Sequence, residues 1–210
     1  MSNSKENGKS NSTSNDNTTS KDNFIVAFEY IYPIVIVVTW VYLTNNNVIP
    51  REVSIIWFLG FMLGLIWESL FKIIGDKFMI TKNEKLKNSM PPFLYSISHA
   101  LQDSVLFIIG FIIAYFLLGQ NLKAFCSFNV VVLIVFVVWG LLQEIYIEYL
   151  YNDKLWEYLP GKYNPTIVTT GEGKNKKNWT LIPYITWLIA PIIYWIIVTK
   201  VFQRSGRCTI

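Results

Sequence analysis

The sequence predicts an all-α, polytopic membrane helix bundle of about five transmembrane helices, and three observations carry that prediction. Charged residues are 15% and aromatic residues 16% of the 210-residue chain, whereas an ordinary globular chain is about 25% charged. The apolar residues fall in long blocks, each close to the ~20 residues a helix needs to cross a ~30 Å hydrocarbon core. The basic residues lie between those blocks instead of on one basic domain, so the net charge of +4 does not point to nucleic acid.

Residues 1–23 are almost wholly Asn, Ser, Thr, Lys and acidic side chains. Nothing there can bury a core, and the segment reads as a disordered tail. It lacks the basic-then-apolar order of a signal peptide, so the first span is expected to be retained as an anchor. That span is 24–43, containing Glu29 and Pro33. The second is 53–74, where Gly60, Gly64, Glu68 and Lys72 recur every four residues along one stripe. The two glycines make a GxxxG face for close helix contact, with Glu68 beside Lys72 one turn on.

Residues 75–93 form a polar loop ending in Pro91 and Pro92, which suit the first turn of a helix. The third span, about 94–118, holds Ser96, Ser98, His99, Gln102 and Asp103 in its first turns and is apolar thereafter. The fourth, 128–150, starts without charge and ends with Gln143, Glu144 and Glu148. Residues 151–180 are the longest connection: the first part is suited to the interface through Trp156 and Tyr158, and the later part is a mobile loop. The fifth span is 181–202, with Pro183, Pro191 and Trp187, and 203–210 is a short C-terminal tail.

Five spans put the termini on opposite sides. One side receives the tail, the 75–93 loop and the 151–180 loop. With Lys72, which can snorkel there, it holds 13 of the 18 Lys and Arg, the other five being Arg51, Lys123, Lys200, Arg204 and Arg207. The positive-inside rule puts that side, with the N-terminus, in the cytosol and the C-terminus outside or in a lumen. Cys126 and Cys208 would share the non-cytosolic side, where a disulfide is open to them, although their spacing carries no metal or redox motif.

This topology turns scattered polar residues into one layer. Glu68 and Glu144 each lie six residues from a cytosolic span end, about 9 Å deep, and His99 lies at about 7.5 Å, with Asp103 one turn deeper. An ionisable group inside a span costs roughly 2.5 kcal/mol or more near mid-membrane and is a functional-site hypothesis by default. His99 with Asp103, and Glu144 with Glu148, are i,i+4 pairs that share a face.

Two active readings follow. His99, Asp103, Glu144 and Glu148 are a hard, oxygen-rich set that would suit a divalent metal such as Mn, Fe or Mg. Without a metal, His99 and Asp103 facing Glu68 and Glu144 would form an acid–base site acting on a lipid or sterol-like substrate, with Gln102, Gln143 and Trp187 lining it. A proton- or ion-coupled transporter is a third reading. The apolar runs 107–118 and 130–138 count against a full pathway in one subunit. The fourth reading is structural: the layer is hydrogen-bonded glue between helices, and Glu29, near its span end, reaches water and stays outside the core site. Membrane lipids are the expected partners, and homo-oligomerisation is left open.

Overall fold

The computed structural model describes residues 12–74, 78–152, 154–173, 176–206 and 208, without the side chains of 12–22, 72 and 74. Lys72, expected beside Glu68, therefore lies outside the described side chains, as do residues 1–11. The chain is an all-α helical bundle with five helices long and apolar enough to cross a membrane. These are α1 (Ser12–Asn45), α2 (Arg51–Ile74), α4 (Pro92–Leu117), α5 (Val130–Tyr151) and α6 (Leu181–Arg204), with a short helix α3 (Glu84–Ser89) between α2 and α4.

Each boundary has a local cause. Pro92 opens α4 at a position that needs no backbone donor. The Asn129 side chain caps α5 by accepting from Val131 N and Val132 N, and Asn83 does the same for α3. Helix α1 begins at Ser12, so the part of the expected disordered tail that is described is helical. Once a long apolar helix is nucleated, adding polar turns to its end costs little.

Helix α4 is the centre. It packs most extensively on α2, then on α5 and α1, while α6 closes the bundle against α5 and α2. The Gly60–Gly64 face meets α4. A Cβ on Gly64 would sit 2.9 Å from Asp103 Cβ and 3.1 Å from Ala100 Cα, and one on Gly60 3.3 Å from the Tyr194 ring. Aromatic side chains fill the end of the bundle away from the polar layer. Phe107 stacks on Tyr194 at 4.6 Å between ring centres, and Phe111 lies 4.6 Å from Phe125, which packs on Phe202. A disulfide between Cys126 and Cys208 closes the same end, where Gln203 Nε2 also donates to the Cys126 carbonyl at 2.9 Å. The C-terminal tail is thus tied to the loop preceding α5.

Two connections expected as loops are ordered ribbons. Strand β1 (Met79–Thr81), in the loop before α3, pairs antiparallel with β2 (Trp156–Tyr158) in the long connection. A 2.7 Å ion pair between Lys82 and Glu157 flanks the pairing. Strands β3 (Thr166–Thr170) and β4 (Lys177–Thr180) form a hairpin leading into α6. Buried asparagines hold this connection to the helix ends. Asn152 Nδ2 donates to the Asn178 carbonyl, and the Asn164 side chain accepts from Ile182 N at 2.9 Å while donating to the Leu159 carbonyl. Asparagine carries donor and acceptor on one short side chain, so it can satisfy a backbone that has left regular structure.

Candidate functional site

The polar residues gather on two sides of α4. A four-residue step along a helix also rotates by about 40°, so residues one turn apart can face different neighbours. His99 is directed to α1: its Nε2 lies 3.8 Å from Glu29 Oε2. Asp103 lies against Gly64 of α2.

The first group lies between α1, α4 and α5. Helix α1 is peripheral, and among its described side chains Glu29 alone is buried, at 4% exposure. Pro33 explains half of its surroundings. A proline has no N–H, so the Glu29 carbonyl four residues earlier loses its helical donor. Ser98 Oγ is 3.2 Å from that carbonyl oxygen and 3.0 Å from Glu29 Oε2, its single proton shared between the two. The Tyr32 hydroxyl donates to the Ser98 carbonyl at 2.9 Å and lies 2.8 Å from Ser98 Oγ. Behind this clasp the His99 ring rests on Tyr95, with centres 4.0 Å apart, and meets the Trp156 ring edge-on at 5.8 Å.

The clasp forms the floor of a cleft of about 500 Å³. Its walls are the apolar side chains of α1 and α4, the end of α5, and Trp156 with Leu155. Phe24, Phe28, Val35 and Tyr151 on its rim are 72%, 48%, 55% and 39% exposed, so the cleft opens sideways from the bundle. Glu29, Tyr32, Gln102 and Tyr151 are the residues of its lining with polar side-chain groups, with the indole of Trp156. Trp156 Nε1 donates to Glu148 Oε1 at 3.1 Å, so Glu148 serves as the anchor of this wall.

The second group lies between α2, α4 and α6. Glu68, Asp103, Thr186 and Trp187 line a chamber of about 40 Å³ together with Trp67 and Tyr158. At roughly 10–15 Å³ per molecule it has room for about three waters. Burial first, and nearby carboxylates second, push the Tyr158 hydroxyl well above the usual phenol range, so it acts there as a neutral hydrogen-bonding group. Glu144 is 3% exposed, within electrostatic reach of Glu148, Asp103 and Glu68, and its Oε1 has no hydrogen-bond partner among the described residues. Gln143 is buried beside it and donates to the Gly140 carbonyl.

The structure therefore revises the expected layer. Gln102 lines the cleft, Trp187 lines the separate chamber, and Gln143 lines neither. The carboxylate seen beside His99 is Glu29, which sequence reasoning placed outside the core site because it lies near a span end. Pro33, one turn away, was the available signal, since it frees a backbone acceptor at Glu29. The metal set His99, Asp103, Glu144 and Glu148 is not assembled: among the described residues no three His, Cys, Asp or Glu side chains come together as metal ligands. His99 is turned to α1, and Glu148 is taken by Trp156. Comparison with protein-family models, with curated proteins and with solved structures finds no match to this chain.

Proposed function

We propose that this multi-pass membrane protein takes a membrane-dissolved, lipid-like amphiphile into the cleft between α1, α4 and α5 and moves a proton on it. Glu29 is the group that faces the bound molecule, and His99 is the proton relay behind it. One observation carries the reading: a peripheral apolar helix keeps a glutamate as its buried contact, at the floor of a lateral cleft. A structural clasp needs no ion. Ser98 and Tyr32 could join the helices as hydroxyls, without the roughly 2.5 kcal/mol or more that a carboxylate costs within a span.

The chemistry is a proton transfer and requires no oxidant or reductant. A C–H bond of the substrate breaks, its electron pair stays on the substrate, and a solvent-derived proton later returns to that pair. The proton passes to the Glu29 carboxylate, and the imidazole at 3.8 Å can receive it in turn. The second reading, a purely structural clasp, is favoured by how completely Ser98 and Tyr32 satisfy one another.

Solvent exchange separates the two. The protein is reconstituted with a mixed lipid extract in deuterated water, and the lipids are then analysed by mass spectrometry. One lipid species should gain non-exchangeable deuterium with the wild type, about a hundredfold or more slowly with Glu29→Gln and His99→Ala. Equal deuteration by all three proteins, or none in any lipid, rejects the acid–base reading and leaves the clasp.

The same reading puts the polar end of the cleft at the cytosolic face. Among the described residues, the loops at that end carry Lys82, Lys85, Lys154 and Lys177, and the opposite end carries the disulfide, a bond that persists in oxidising compartments. After reduction, a membrane-impermeant maleimide is expected to label Cys126 and Cys208 from the non-cytosolic side of sealed membranes. Labelling from the cytosolic side would invert the orientation.

A further inference from the structure

We infer that the molecule held in the α1–α5 cleft bears a cationic head of the ammonium type; this rests on the cleft reading above and narrows it to one class of ligand. The lining contains a single charged group, the Glu29 carboxylate, and among the described residues no Lys, Arg or His lines it. The sole imidazole of the chain lies behind the wall, 3.8 Å from that carboxylate. A phosphate, sulfate or carboxylate head would meet a like charge and no cationic partner.

Aromatic faces supply the rest. Phe28 and Tyr32 lie 4.8 Å apart on α1, and Tyr151 and Trp156 lie 5.8 Å apart on the opposite wall. All four line the cleft with Glu29. An alkylated ammonium binds through charge and ring faces within about 6 Å of a ring centre, with no need of directional hydrogen bonds. A neutral hydroxyl head does need them, and the floor has few to offer. The Tyr32 proton goes to the Ser98 carbonyl and the Ser98 proton to Glu29. What the floor leaves available is charge and π surface, with the Gln102 amide as one neutral polar group beside them; most of the remaining lining is aliphatic, suited to an alkyl chain.

The test uses radiolabelled single-chain probes, equilibrated by gel filtration with the full chain in a maltoside detergent. One probe carries a trimethylammonium head. Its isostere has carbon in place of nitrogen, with the same shape and no charge. A third carries phosphocholine on the same chain. The wild type should hold the trimethylammonium probe about tenfold more tightly than the isostere. Glu29→Gln should bring that ratio close to one while isostere binding remains. Phe28→Leu, on the exposed rim where folding is not at stake, should lower the ratio without removing it. Retention of the phosphocholine probe names a zwitterionic lipid head as the source of the ammonium; its rejection names a simple cationic amphiphile, and the ammonium assignment stands either way. Equal binding of probe and isostere by the wild type, or a ratio untouched by both variants, overturns the ammonium assignment while leaving the cleft. Binding of none of the probes overturns the cleft reading itself.

Discussion

Ser98→Ala is expected to lower stability by about 1.5–3 kcal/mol, because it removes the one hydroxyl proton shared by the buried carboxylate and carbonyl of Glu29. Ser98 is 2% exposed, and alanine removes only the hydroxyl, adding no atom to the packed site. What disappears is the hydroxyl that serves both the Glu29 carboxylate and the Glu29 carbonyl. Tyr32 keeps its bond to the Ser98 carbonyl, so its hydroxyl is not stranded. The fall would be read as a lower thermal midpoint in detergent. The cause can be isolated with Pro33→Ala, which restores a backbone N–H able to reach the Glu29 carbonyl within α1. In the Ser98→Ala background that second change should recover about 1 kcal/mol, a coupling that two unrelated sites would not show. Additive effects of the two substitutions would mean that Ser98 does not act through that carbonyl.

Gly140→Ala should be nearly as damaging, by about 1–3 kcal/mol, through overpacking. A Cβ there would lie 2.6 Å from Pro191 Cγ and 2.9 Å from the Trp187 carbonyl oxygen. The second contact is backbone and cannot rotate away. Pro191 sits at that crossing for a related reason: lacking an N–H, it leaves the Trp187 carbonyl without its helical donor and brings a ring against α5. Accommodating one methyl group requires α5 and α6 to move apart. Gly161→Ala is the matched reference. Nothing lies within 4 Å of its added Cβ, and its midpoint should stay within about 0.5 kcal/mol of wild type. Equal midpoints for the two variants would show that the α5–α6 contact yields freely.

The functional predictions depend on the same two contacts. Helix α1 brings Glu29 to His99 only while the Ser98 clasp holds. Likewise α5 brings Glu148 to Trp156, and so sets the far wall of the cleft, only while its packing on α6 is kept. Loss of proton exchange in Ser98→Ala would therefore be a positional effect, distinct from Glu29→Gln, which alters charge and leaves a polar group for Ser98 to bond.

The membrane architecture was legible in the sequence because it follows from run length and composition. Five apolar stretches of spanning length admit few other solutions when every backbone group must be satisfied within lipid. The same holds for Gly60 and Gly64, whose four-residue spacing puts both on one face whatever the partner, and for Pro92, whose missing donor suits a helix start. The ordered ribbons of the 151–180 connection were not legible. β1 and β2 are held by residues about 75 positions apart, and their three-residue strands carry no periodicity of their own. The pairing of Cys126 with Cys208 was open in the sequence for the same reason, since it depends on where α6 delivers the C-terminus.

The site divides in the same way. That His99, Asp103, Glu68, Glu144 and Glu148 lie at similar depth follows from counting residues from span ends. Which of them meet does not, because depth is a one-dimensional quantity and contact depends on the rotation of each helix about its axis. Tertiary packing turned His99 toward Glu29 and set Asp103 against Gly64, so that one expected layer became a lateral cleft and a small inner chamber. It also gave Glu29 its role: a carboxylate near a span end reaches water on an isolated helix, but beside Ser98 it becomes the buried floor of the cleft.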